Sequence, residues 1–284
     1  MKQTSILVLA IILRLQAVGQ VESGTLVVVN ATRDEVVVAA DSRTHTSTQY
    51  ADDRCKVSAL GNKMIFAAAG KTAHGPFDRP TKWTWDSHAI ARSTFASLLH
   101  KRSKNSLSLD VANAWASEVR KKLFQDLRRE PDETLSGVKD DTLVTAMFAS
   151  YTESGDISIV TVRITYRATQ GKSPTTAFII DRVMREPQLF SFGETAVFSE
   201  IINKTERGVA WKRELDSRFP KNGDYTAFLA IGVVELTAEH LPPKHFNGFS
   251  LVVVGGDIDA LRLKRTGGTE WIQRKTNVQT NCQE

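Results

Sequence analysis

Two apolar, largely β-branched runs constrain this chain more than any other feature. Leu26-Val27-Val28-Val29 and Val36-Val37-Val38-Ala39-Ala40 stand on either side of a polar turn, Asn30 to Asp34. Runs of this kind joined by a short turn predict a β-hairpin. A second hairpin follows, from Lys56 to Leu60 and from Lys63 to Ala69, around Gly61-Asn62, which suit a tight turn with positive φ. Gly70 ends that strand, and the Pro-containing stretch from Lys71 to Trp85 is expected to be an irregular loop.

Helical periodicity then takes over. Near His88 to Lys101, Ile90, Thr94, Phe95, Leu98 and Leu99 share one face. From Asp110 to Arg129, Val111, Trp115, Val119, Leu123 and Leu127 share another, and Pro131 marks its end. Strand patterns return at Thr142 to Tyr151 and Asp156 to Tyr166, with a further pair at Ala177 to Val183 and Gln188 to Phe192. Two more helices are expected over Thr195 to Leu215 and Tyr225 to His240. A closing strand pair is expected at Ser250 to Val254 and Ile258 to Lys264, bent at Gly255-Gly256. Grouped strands and grouped helices predict an α+β fold rather than alternating βαβ units. Hairpins with helix pairs at two places further suggest a four-layer αββα sandwich of two antiparallel sheets covered by helix pairs.

Residues 1–24 read as a signal peptide or propeptide, 25–265 as the domain and 266–284 as a C-terminal tail. Ile6 to Leu13 is an eight-residue apolar run behind Lys2, too short for a bilayer, which needs about 20 apolar residues. With the small residues Ala17-Val18-Gly19 behind it, the run suits a signal peptide and an exported, periplasmic or extracellular, protein. A disposable propeptide and a buried strand are the alternatives, with a cytoplasmic location if there is no export. No integral membrane span is expected in the mature chain.

Composition excludes other classes. Lys and Arg number 37 against 32 Asp and Glu, a net charge of +5 with no block of six like charges, so no nucleic-acid partner is expected. Cys55 and Cys282 are too few for a disulfide scaffold and lack zinc spacing, so no metal or cofactor is expected. Ala69-Gly70-Lys71-Thr72 ends like a phosphate-binding loop, but Ile65 stands where the loop needs glycine. There is no H-E-x-x-H and no G-x-S-x-G.

Gly24-Thr25-Leu26-Val27-Val28-Val29 followed by Ala39-Ala40-Asp41-Ser42-Arg43 resembles the opening of proteasome β-subunits and their bacterial two-component peptidase relatives. Asp41 lies sixteen residues after Thr25 without a gap in the pattern. Cys55-Lys56-Val57 is similar to the family's lysine-bearing strand, one residue shorter on the way, and Gly70 falls fourteen residues after Lys56. Coarsely the resemblance spans Gly24 to Lys264; its specific motifs lie in the first third. It implies the αββα fold, a peptide or protein substrate, a homo-oligomer, ring-shaped in the family's manner, and threonine-type peptidase activity. Thr25 would be the nucleophile, with its own α-amine as base once the Gly24–Thr25 bond is cut. Lys56 would depress the pKa of the amine and hydroxyl, Asp41 would hold Lys56, and the Gly70 N–H would bind the oxyanion.

Each position also has a structural alternative. Thr25 could simply start a strand, with Ser23 as a rival nucleophile. Asp41 could end a hairpin, Lys56 could be a solvated edge lysine, and Gly70 could be a strand terminus. Two departures from the family pattern point to a second function, an inactive scaffold or binding subunit. Leu26 replaces a small polar residue, and the family's Gly-Ser-Gly segment, whose serine supports the threonine amine, reads Gly193-Glu194-Thr195. The family's second supporting aspartate has no clear counterpart. The outer faces of the helix pairs are expected to carry Trp115 and Trp211 as oligomer contacts.

Overall fold

The computed structural model describes residues 25–45, 50–51, 55–74, 84–101, 106–135, 141–167, 175–219, 223–246, 249–251 and 253–274. The leader reading of residues 1–24, Ser23 and Cys282 therefore lie outside the described residues.

The apolar runs form strands β1 (Leu26–Ala31) and β2 (Glu35–Asp41), paired as an antiparallel hairpin. Thr32 closes the turn, its N–H donating to the Glu35 carbonyl at 2.8 Å. Both strands are apolar on both faces because both faces are covered. Leu26, Val28, Val37 and Ala39 join a cluster with Val197, Ala230, Val233 and Val234. Val27, Val29, Val38 and Ala40 join another with Val57, Ile65, Ala67, Ala69 and Met147.

Strands β3 (Val57–Leu60) and β4 (Met64–Gly70) form the second hairpin, as expected. After them come helices α1 (Ser87–Leu98), α2 (Leu107–Arg129) and the short α3 (Pro131–Leu135). Asp86 caps α1 by accepting from the His88 and Ala89 N–H groups. Pro131 opens α3, where its missing N–H costs nothing. The loop after β4 is pinned by a two-residue pairing of Ala73–His74 with Trp85–Asp86.

Strands β5 (Thr142–Tyr151), β6 (Ile157–Arg167), β7 (Thr175–Met184) and β8 (Gln188–Gly193) complete the middle of the chain. Helices α4 (Ala196–Ile202), α5 (Glu206–Arg218) and α6 (Tyr225–His240) follow, and β9 (Ile258–Lys264) and β10 (Thr269–Gln273) close it. The fold is α+β with two five-stranded antiparallel sheets, ordered β8-β1-β2-β9-β10 and β7-β6-β5-β4-β3. One apolar cluster joins the second sheet to α1 and α2, one joins the first sheet to α4, α5 and α6, and one draws on both sheets.

Several expectations are corrected. β7 and β8 do not pair with each other: β7 pairs with β6, while β8 crosses to β1 in the other sheet. The Thr195 to Leu215 helix is two helices, broken at Asn203-Lys204, where Lys204 takes φ 54° and Thr205 caps α5 by accepting from the Gly208 N–H. Near the C-terminus, Phe249–Leu251 pairs with Lys244–Phe246 rather than with β9, which pairs with β2. β10, inside the segment expected to be a tail, is the edge strand of the first sheet. Trp115 is fully buried and Trp211 is nearly so, each within a core cluster. Neither is on an outer face. Trp115 packs against both Phe66 and Phe148, which also touch each other, and its indole N–H is held by the Ser87 carbonyl at 3.0 Å.

Candidate functional site

Thr25, Asp41 and Lys56 are all buried polar residues at one end of the two sheets. Asp41 is the last residue of β2 and is completely inaccessible. An aspartate in such a place needs donors for its lone pairs, and the backbone supplies three. The Leu26 N–H donates to Oδ1 at 2.9 Å, while the Arg43 and Gly255 N–H groups each donate to Oδ2 at 3.2 Å. The Lys56 ammonium lies 3.4 Å from both carboxylate oxygens and also donates to the Arg43 carbonyl. Burial pushes the Asp41 carboxyl above the ordinary aspartate range, and the Lys56 charge with the Leu26 and Gly255 N–H groups pulls it back.

Asp41 therefore ties the backbone directly behind Thr25 to the Lys56 ammonium. Three of the four residues expected from sequence meet around one carboxylate or one step from it. Lys56 is not a solvated edge lysine: it is 5% exposed. Cys55, beside it, is disulfide-bonded, which sequence reasoning did not foresee.

Gly70 ends β4 at φ 103°, and a Cβ there would overlap the Leu143 carbonyl, so glycine is required by conformation and by space. Its neighbour Ala69 faces the candidate nucleophile's strand from the opposite sheet. A Cβ built on Gly193 would overlap the Thr25 carbonyl and lie 3.4 Å from the Ala69 Cβ, so Thr25, Gly193 and Ala69 lie side by side.

Sequence reasoning missed two supports of this site. Gly255, expected to be a plain hairpin bend, accepts from the Ser42 and Arg43 N–H groups while donating to Asp41. Gly193, at φ 88°, ends β8 opposite Leu26 and turns the chain so that the Glu194 N–H donates to the Thr25 carbonyl at 2.7 Å. Positive φ at the end of a strand would have been detectable only as a glycine. The close approach to Thr25 needs the three-dimensional pairing.

Gly193→Ala is expected to destabilise the protein by more than the ~1–2 kcal/mol that a left-handed backbone alone costs a non-glycine residue, because the new methyl also displaces the Thr25 carbonyl. Urea denaturation of the variant beside wild type measures this. An unchanged midpoint would mean that the close approach is relieved at no cost.

Among the described residues, the one cluster of potential metal ligands is Glu214, Glu239 and His240, remote in sequence from Asp41. Arg218 hydrogen-bonds both of its carboxylates, which explains the grouping without a metal. No helix among the described residues is long and apolar enough to cross a membrane. No protein-family model matches the chain, and no curated protein matches it.

Proposed function

We propose that the chain is a proteasome-like N-terminal-nucleophile hydrolase that cleaves peptide bonds with Thr25, on an αββα four-layer fold. The observation that carries this reading is the single buried carboxylate of Asp41, shared by the Leu26 N–H directly behind Thr25 and by the Lys56 ammonium. A surface hairpin residue would need neither. The layer order is supported by the three apolar clusters, one for each sheet with its helices and one between the sheets.

In this mechanism the freed α-amine of Thr25 takes the proton of its own hydroxyl as the oxygen attacks the substrate carbonyl. Lys56, held by Asp41 and the Arg43 carbonyl, supplies positive charge where negative charge develops. The Gly70 N–H stabilises the oxyanion, and the amine returns the proton to the leaving group. Water then releases the acyl group by the same route in reverse.

A second reading, an inactive scaffold of the same fold, is favoured by Glu194, a buried carboxylate where the resemblance calls for a serine. Intact-mass measurement separates the two readings. The hydrolase yields a chain starting at Thr25 that turns over fluorogenic peptides; the scaffold retains residues ahead of Thr25 and turns over nothing.

Export is supported by the Cys55 disulfide, since such bonds persist in oxidising compartments. A homo-oligomer, ring-shaped as in the family resembled, rests on that resemblance alone, because Trp115 and Trp211 are core residues. Sedimentation at micromolar concentration is expected to give a multiple of the protomer mass; a strict monomer would refute it.

A further inference from the structure

We infer that Cys55 is cross-linked to Cys282, and that this disulfide straps the C-terminal segment to the residue beside Lys56 and so fixes the Lys56 ammonium at Asp41. Cys55 is disulfide-bonded, and Cys282 is the chain's other cysteine. The strands on either side of the gap show why the two can meet. β10 starts at the Gly61-Asn62 turn, where the Gly268 N–H donates to the Asn62 carbonyl at 3.0 Å and the Thr269 hydroxyl to the Gly61 carbonyl at 3.2 Å. It then runs along β9, from Thr269 opposite Leu263 to Gln273 opposite Ala260. β9 in turn places Ala260 opposite Ala39 and Ile258 opposite Asp41. The chain therefore leaves β10 heading for the end at which Asp41 lies.

β3 covers the same stretch in the other sheet, with Lys56 and Val57 at the site end and Leu60 at the turn. β10 and β3 are the edge strands of their sheets, and β9, the neighbour of β10, packs against β3. The gap from β10 to β3 is then one sheet spacing of about 10 Å and one strand spacing of about 4.8 Å. Residues 275–282 reach roughly 26–29 Å when extended, so Cys282 arrives at Cys55 without disturbing either sheet.

The position of this bond gives it a consequence for Lys56. Lys56 leads into an edge strand of four residues that has β4 as its neighbour in the sheet. Its carbonyl accepts from the Ala68 N–H at 3.2 Å, and its ammonium crosses to the Asp41 carboxylate and the Arg43 carbonyl. An ammonium on a flexible four-carbon stem keeps one position only where the backbone beneath it is held. The disulfide holds that backbone just ahead of the strand, by joining Cys55 to a segment that grows out of the first sheet. It also closes a loop over most of the chain, the case in which a cross-link takes most entropy from the unfolded state. Forming the bond removes two protons and two electrons from the two thiols. A disulfide of an oxidising compartment accepts them by exchange and becomes two thiols, and a dithiol opens the bond by the reverse route. Cys55 is half-buried, within reach of such a reagent. Cys55 acts through Lys56 and is a positioning residue. Its effect on hydrolysis rests on the proposed function; the cross-link and its hold on Lys56 do not.

The pairing is tested by trypsin digestion, without reductant, of the full chain equilibrated with oxidised glutathione. The expected product is Cys55-Lys56 joined to the peptide Thr276 to Glu284, and dithiothreitol separates the two. Two copies of Cys55-Lys56 joined to each other, or free or glutathione-capped thiols, would overturn it. The hold on Lys56 is read by brief acetylation of the folded protein and mass spectrometry, with Lys121, 60% exposed, as internal reference. Acetylation of Lys56 relative to Lys121 is expected to rise several-fold when wild type is reduced and in Cys282→Ser, and reductant should leave Cys282→Ser unchanged. Both should melt roughly 5–15 °C below oxidised wild type, and the labelling is done where all forms are folded. Peptide hydrolysis should fall in kcat with KM kept. A lower melting point with unchanged Lys56 acetylation would mean a staple that stabilises without positioning, and would overturn the inference. Faster acetylation in a protein that hydrolyses nothing supports the inference and rejects the peptidase reading instead.

Discussion

Thr25→Ala is expected to block both maturation and peptide hydrolysis while leaving the fold nearly unchanged. An amide nitrogen cannot serve as a base, so activity requires that nothing precede Thr25. Signal-peptide removal after Gly19 would still leave Gln20 to Gly24 in front of it. In the family this chain resembles, the second cut is made by the threonine hydroxyl on the preceding carbonyl, so the alanine variant loses the group that performs it. Thr25 precedes β1, and the backbone groups around it that hold the strand ends together, its carbonyl with the Glu194 N–H and the Leu26 N–H with Asp41, are kept by alanine. Mass spectrometry of wild type is expected to find chains beginning at Thr25, and of the variant only longer chains. Residual peptidase activity in the variant should be at the level of uncatalysed hydrolysis. Wild-type chains that begin before Thr25 and a variant that still hydrolyses peptides would reject Thr25 and bring Ser23 back as the candidate.

Much of this arrangement was legible in the sequence because it is local. The valine-rich runs of β1 and β2 and the Gly61-Asn62 turn follow from residues close together in the chain, whereas the Asp41–Lys56 pair, which joins the two sheets, was implied only by the family resemblance. The interruption between α4 and α5 carried a local signal as well, since Thr205 ahead of Glu206 is an ordinary capping residue, but the apolar periodicity of Val197, Phe198, Ile201 and Ile202 masked it. The non-local features were hidden. The neighbouring runs Ala177 to Val183 and Gln188 to Phe192 read as a pair, yet β7 and β8 belong to different sheets, β7 on β6 and β8 on β1. The outward assignment of Trp115 failed for a related reason. Its helix face of Val111, Trp115, Val119, Leu123 and Leu127 is evident from the periodicity, but that face is the one pressed onto the sheet. In the site, Glu194 was noticeable only as a departure from a familial serine. The contact of its N–H with the Thr25 carbonyl, like the role of Gly255 214 residues from Asp41, exists only once β8 has crossed to β1 and β9 has joined β2.

Lys56→Met is expected to lose activity and also to lose stability, by about 3–5 kcal/mol at neutral pH, the usual cost of removing one partner of a buried pair. The methionine replaces the ammonium with an apolar chain of similar length, so packing is largely kept and the loss reports on charge. Three backbone N–H groups still face Asp41 in the variant, which places the expected value at the lower end of that range. The pH dependence separates this cause from a cavity. Burial already holds the Asp41 carboxyl above the ordinary aspartate value, and Lys56 is the leading influence lowering it. Without Lys56 the folded-state value rises further, while the unfolded value stays near 3.9. A carboxyl whose folded pKa is raised contributes stability that is fully present below the unfolded pKa and is lost as pH rises through the folded one. The deficit of Lys56→Met relative to wild type should therefore be smallest near pH 4, grow as the pH rises, and level off once Asp41 is ionised in the folded variant. Urea midpoints for both proteins at pH 4.5, 6 and 8 measure it. A deficit that is constant across the three would mean that lost packing, and not an uncompensated Asp41, causes the instability. Lys56→Arg keeps the positive charge but offers a planar fork where a compact ammonium sits between the Asp41 carboxylate and the Arg43 carbonyl. It should recover much of the stability at pH 8 and little of the hydrolysis, because holding Asp41 needs only a charge nearby whereas the proposed mechanism needs that charge at the fixed point the ammonium occupies.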